Sequence, residues 1–160
     1  MIRSIVFDWG GVLIRNPTPA LFRFCATTLN VSPKKFTEAY EKYAPDFQKG
    51  TLSEHQLWGH LCAELHTTKP SHPSLWETAF GHSYRENTGN LQLAATLQKN
   101  GYRIGLLSNT EAPAMRFFQK QQYTMFDVTV FSCAEGTRKP EEQIYHLLLR
   151  RLQLPPEDVV

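Results

Sequence analysis

The sequence predicts an α/β protein: an open parallel sheet with helices on both faces and an all-helical insertion after the first strand. Three observations carry this expectation. Short apolar runs at Ile5–Phe7, Tyr102–Leu107 and Phe126–Phe131 are too brief for helices and are bounded by turn residues. Segments with apolar residues at helical spacing separate the later runs, and such alternation implies parallel strands joined by crossover helices. Residues 16–88 keep helical spacing throughout and carry no strand pattern.

The elements follow in order. Ile5, Val6 and Phe7 read as a buried strand, closed by Asp8, Trp9 and the pair Gly10-Gly11. The glycines let the backbone turn sharply at the strand mouth. Thr18 before Pro19 is a helix start, and Leu21, Phe22, Cys25 and Leu29 repeat behind it. Ser32-Pro33 opens a second helix through Phe36, Ala39, Tyr40 and Tyr43, which Pro45 is expected to stop. Ser53 with Gln56 fits a capping box ahead of Leu57, Leu61 and Leu65. Residues 67–73 form a loop, and Leu75 to Tyr84 a further helix. Asn90 is expected to cap a helix over Leu91–Lys99, which Asn100-Gly101 ends. Strand Tyr102–Leu107, helix Ala112–Lys120, strand Phe126–Phe131 and a helix from about Glu141 to Leu152 complete the core. Val159-Val160 then begins another strand.

Composition narrows the classes of function. The chain has 160 residues, 41% of them hydrophobic, enough for one domain with a real core. A net charge of +2, from 17 Lys+Arg against 15 Asp+Glu, gives no electrostatic case for nucleic acid or an anionic membrane. No run approaches the roughly 18 apolar residues of a membrane span. Three cysteines without close spacing, Cys25, Cys62 and Cys133, read as free thiols in a reducing compartment. The chain passes from Met1 straight into a strand, so a cytoplasmic protein is expected. The six histidines show no metal-ligand spacing.

Parallel strands bring their carboxyl ends together. That places Asp8 after the first strand, Ser108 after the second and Lys139 in the loop after the third at one end of one sheet, where open α/β sheets bind ligands. A carboxylate nucleophile, a hydroxyl donor and a fixed positive charge suit attack on a phosphate ester. The carboxylate can form an acyl phosphate, and the other two can neutralise charge on the transferring oxygens. Taken singly, each has a plainer reading: a turn acid, a serine turn and a solvated lysine before a proline. It is their order and shared location that favours chemistry.

These stretches resemble the haloacid dehalogenase (HAD) superfamily. FDWGGVL is similar to its first motif, LLSNT to its second and GTRKPEEQIY to its third. The resemblance spans the whole chain. It implies a Rossmann-like core from residues 1–15 and 89–160, with residues 16–88 as a helical cap inserted directly after the first motif. It implies Asp8 as nucleophile, Lys139 as the lysine orienting phosphate and nucleophile, and Ser108 as phosphoryl ligand assisted by Asn109, with Trp9 facing the cap and substrate. It also implies Mg²⁺ held by the Asp8 carboxylate and the Gly10 carbonyl, and a small phosphorylated metabolite as substrate.

Two departures bear on activity. Family phosphatases usually carry an acid two residues after the nucleophile, as proton donor to the leaving group; here that position is Gly10. The family's fourth motif, a pair of acids after the next strand, does not follow PPEDVV within the 160 residues. On this reading the chain is shortened before that motif, its activity is open, and its first strand is an exposed apolar edge prone to self-association. Two alternatives stay open. One is a non-catalytic binding or regulatory relative. The other is a 2-haloacid dehalogenase, disfavoured because that branch usually has an aromatic at Gly10 and a threonine at Val12.

Overall fold

The computed structural model describes all of residues 1–160. Its centre is a three-stranded parallel sheet in the order β1-β2-β3: β1 (Ser4–Phe7), β2 (Arg103–Ser108) and β3 (Val128–Phe131). The register pairs Phe7 with Leu106 and Ser108 with Phe131, so the three strands end at one rim. Five helices lie between β1 and the return to the core: α1 (Thr18–Thr28), α2 (Pro33–Glu41), α3 (Ala44–Lys49), α4 (Glu54–Leu65) and α5 (Leu75–Ser83). Then come α6 (Thr88–Lys99), α7 (Ala112–Lys120), the single turn α8 (Ser132–Glu135) and α9 (Glu142–Leu152). None is long and apolar enough to cross a membrane.

Local chemistry explains most boundaries and corrects some. Ser53 Oγ and the Gln56 side chain cap each other's backbone N–H groups at the start of α4, as the sequence pattern requires. Ser32 Oγ accepts from Lys35 N at 3.3 Å to start α2. Pro45, expected to stop a helix, instead sits in the first turn of α3, where a missing N–H is harmless. Asn90 lies inside α6 and is not its cap; α6 begins at Thr88. The side-chain amides of Asn87 and Asn90 both donate to the Val12 carbonyl, at 3.1 and 2.8 Å. Thr18 opens α1 itself, with its N–H taken by Asn16 Oδ1 at 3.1 Å.

The two chain segments that lead into and out of the helical insertion run together. Ile14 bridges Glu86 in antiparallel fashion, Arg15 N donates to Arg85 O and Asn87 N to Leu13 O. One continuous apolar cluster runs from the insertion (Leu21, Phe36, Trp76, Phe80) into the core (Leu106, Ala114, Phe118, Phe131). A second, smaller cluster packs Ile144, Leu148 and Leu152 of α9 on the other sheet face against Leu107, Val128 and Val130.

The expected bare edge of β1 is corrected. Residues 158–160 lie along it: Arg3 N donates to Asp158 O, Val6 N to Val160 O at 2.7 Å, and Val160 N to Ser4 O at 3.1 Å. Ser4 bridges Val159 in parallel fashion. An apolar edge strand gains by pairing its backbone groups, and the nearest extended segment supplies the partners.

Candidate active site

The rim where the strands end is a cavity of about 260 Å³ between the sheet and the helical insertion. Asp8, Trp9, Gly10, Ser108, Asn109 and Lys139, singled out in the sequence, all line it. Asp8 follows the last residue of β1. Its side chain keeps 41% exposure, while that of Lys139 keeps 23%. Lys139 Nζ stands 2.9 Å from Asp8 Oδ2 and donates to the Leu107 carbonyl at 3.0 Å. The other Asp8 oxygen, Oδ1, accepts the Trp9 N–H at 2.7 Å.

The turn after Asp8 is built by backbone. The Trp9 carbonyl accepts from Leu13 at 2.9 Å and from Ile14 at 3.1 Å, and Gly11 adopts φ +84°, a conformation that suits only residues without a side-chain penalty. Gly10 lines the cavity in this tight turn, and its carbonyl accepts none of the chain's hydrogen bonds. Trp9 points into the protein and is buried, packed on Phe80 of α5 and edge-on against Phe118 of α7, with ring centroids 5.0 and 5.2 Å apart.

Ser108 is 2% exposed and shares a 2.5 Å hydrogen bond with the Thr110 hydroxyl. Thr110 is fixed in turn by its N–H to Ser132 Oγ at 2.9 Å. Asn109 makes a reciprocal pair with the Lys139 backbone: Lys139 N donates to Oδ1 at 2.8 Å, and Nδ2 donates to the Lys139 carbonyl at 2.9 Å. The loop after β2 and the loop before α9 are therefore locked together, which aims the lysine at Asp8. Ser132 and Asn109 act here through other residues.

Sequence reasoning missed one polar centre of the cavity. Glu111 is buried at the start of α7, and its Oε1 accepts from the Tyr40 hydroxyl at 2.9 Å and from Gln48 Nε2 at 3.3 Å. Burial pushes its carboxyl above the ordinary value. The three thiols are poor nucleophiles, because burial raises Cys25 and Cys62 and pushes Cys133 up to about 11.

For a metal, the cavity offers hard oxygen donors: the Asp8 carboxylate and the free Gly10 carbonyl. No group of three or more His, Cys, Asp or Glu side chains gathers elsewhere to hold one.

Comparison with known proteins identifies the family and the fold. A family model for haloacid dehalogenase-like hydrolases matches residues 2–160. Among curated proteins, the chain is 27% identical over 169 residues to acyl-CoA dehydrogenase family member 10 of Mus musculus, aligning 99% of this chain with 16% of that protein. It is thus similar to a small part of a much longer polypeptide. It is 22% identical over 171 residues to a sesquiterpene phosphatase of Aspergillus oryzae, covering 99% of this chain and 78% of that one. Among solved structures, the fold matches a HAD family enzyme of Bacteroides thetaiotaomicron, in complex with magnesium and inorganic phosphate. The TM-score is 0.79 at 19% identity, over 99% of this chain and 83% of the other. With residues 2–160 matched by the family model and its fold shared, the chain belongs to the haloacid dehalogenase-like hydrolases.

Proposed function

We propose that this hydrolase is a phosphomonoesterase acting through an aspartyl-phosphate. The observation that carries the reading is the 2.9 Å pair of Asp8 and Lys139 at the end of the sheet, in one cavity with Ser108. An Asp8 oxygen attacks phosphorus, an O–P bond forms, and the bond to the leaving oxygen breaks. That oxygen takes a proton from solvent, since Gly10 supplies no acid. Water then attacks phosphorus, and the Asp8–phosphorus bond breaks to release inorganic phosphate and the free carboxylate. Lys139 and Ser108 meet the charge on the non-bridging oxygens. Lys139 also holds the Asp8 carboxylate in position through their 2.9 Å contact. The magnesium and phosphate of the Bacteroides enzyme and the activity named for the Aspergillus relative support the same chemistry.

The donor set suits Mg²⁺. This ion takes one or two carboxylates with substrate phosphate and keeps several waters, so an exposed carboxylate beside a free carbonyl meets its needs. Asp8 and Gly10 would hold it. When bound it supplies positive charge to the phosphoryl oxygens. On this reading residues 16–88 serve as a cap over the core of 1–15 and 89–160, and the cap walls the cavity with Leu21, Phe22 and Trp76.

Phosphate release from a panel of small phosphate esters, with and without Mg²⁺, tests the proposal. The wild-type chain releases phosphate and Asp8→Asn falls to background. Equal, background-level rates for the two would favour a non-catalytic relative. Halide release from 2-haloacids without metal would favour dehalogenation.

A further inference from the structure

The cavity holds one carboxyl that the proposed chemistry leaves unused. Glu111 is only 9% exposed. It occupies the N-cap position of α7, yet its side chain makes no capping hydrogen bond, so helix initiation does not account for it. It forms no ion pair; the hydroxyl of Tyr40 and the amide of Gln48 reach it from α2 and α3, both spending their donors on Oε1. Oε2 receives no hydrogen bond from the chain. It is not among the buried side-chain polar atoms left without a partner, which are the indole nitrogens of Trp9 and Trp76, so it keeps contact with solvent. The Trp76 N–H lies beside the carboxyl without making a well-formed bond to it. Phe22, Trp76 and Phe80 supply apolar wall around this centre.

A buried carboxyl among aromatic rings is unfavourable unless its lone pairs are met. Here one oxygen is met by the insertion and the other faces the cavity that Asp8 also lines. We propose that Glu111, positioned by Tyr40 and Gln48, is a leaving-group subsite that binds a hydroxyl or ammonium donor on the alcohol part of the substrate. The inference rests on the phosphomonoesterase reading of the same cavity. At about 260 Å³ the cavity lies below the usual range of ligand pockets, roughly 300–1,000 Å³. A short polyol or amino-alcohol phosphate fits this space and this chemistry, whereas a long apolar chain leaves the Glu111 oxygen unmet.

Calorimetric binding tests it without requiring turnover. The ligands are inorganic phosphate, glycerol phosphate, phosphoethanolamine and farnesyl phosphate, each with wild type, Glu111→Ala, Glu111→Gln and Tyr40→Phe. Glycerol phosphate or phosphoethanolamine should bind about 10-fold or more tighter than inorganic phosphate, as a charge-assisted hydrogen bond allows. That ratio should collapse towards unity in Glu111→Ala and shrink in Tyr40→Phe, which keeps the ring and its packing. Retention of the ratio in Glu111→Gln identifies a hydroxyl ligand, and its loss there identifies an ammonium. No gain over phosphate, a gain that survives Glu111→Ala, or a preference for farnesyl phosphate would each overturn the subsite. Wild type that binds no phosphate would overturn the phosphomonoesterase reading and the subsite with it. Phosphate binding without any gain would overturn the subsite alone.

Discussion

At Lys139 a single side chain is held from three directions. Its Nζ bonds the Leu107 carbonyl and faces Asp8, while its backbone is clamped at both ends by Asn109. Such preorganisation matters because a charge fixed before the reaction need not reorganise during it. Lys139→Ala should therefore lower kcat/KM for a phosphate ester by about 10²–10³-fold, as loss of one such donor typically does. A steady-state comparison with wild type checks it. Asn109→Ala should act more weakly in the same direction, because it leaves Nζ its two partners and loosens only the loop. These residues were legible in the sequence because parallel strands place Asp8, Ser108 and Lys139 at one rim whatever the loops do. Glu111 was not. An acid before a helix reads as a cap, and its burial depends on Tyr40 and Gln48, which arrive from 71 and 63 residues upstream.

Between elements, the insertion is fastened to the core by a few close approaches. Gly50 ends α3 at φ +73°, and a Cβ there would lie 2.2 Å from the Cys133 carbonyl oxygen of α8. Gly50→Ala should destabilise the fold twice over. The left-handed backbone costs about 1–2 kcal/mol and the overlap about 1–3 kcal/mol; the urea midpoint should fall accordingly. Lys49 pairs with Glu141 at 2.5 Å, and Glu77 of α5 pairs with Lys120 and, at 3.3 Å, with Arg116 of α7. Hydrogen bonds from Lys120 and Lys49 hold the Glu77 and Glu141 carboxyls below their ordinary value of 4.5. A carboxyl lowered by folding adds stability above its unfolded pKa, and that stability is lost as pH falls through the folded value. The thermal unfolding midpoint should therefore fall on acidification below about pH 4.5, and Lys120→Met should remove part of that dependence. The Ser53–Gln56 box was readable from sequence because capping is local. Pro45 was misread because proline ends one helix and starts the next with the same ring, and the position of α3 is fixed by distant contacts, Gln48 to Glu111, Lys49 to Glu141 and Gly50 against Cys133.

Across the whole molecule, two features join distant parts of the chain: the pairing of Ile14 with Glu86 that closes the insertion, and the pairing of Ser4 with Val159 that covers β1. The α/β order, the parallel sheet and the helical insertion were all visible in the pattern of apolar runs. The covered edge was not, since two valines after Pro-Pro-Glu-Asp do not say which strand they join. Removing residues 158–160 should leave Arg3 N, Val6 N and Ser4 O without partners and promote edge-to-edge association. Sedimentation velocity would register this as concentration-dependent growth absent from the full chain, and an unchanged monomer would count against it. The central claim is that Asp8 itself becomes phosphorylated. Rapid quenching of the enzyme during turnover of a small phosphate ester with Mg²⁺, followed by mass spectrometry of the tryptic peptide Ser4–Arg15, measures this directly. The account predicts a transient phosphoryl group on Asp8 that is absent in Asp8→Asn; turnover with no label on that peptide, or phosphate release that survives Asp8→Asn, would contradict it.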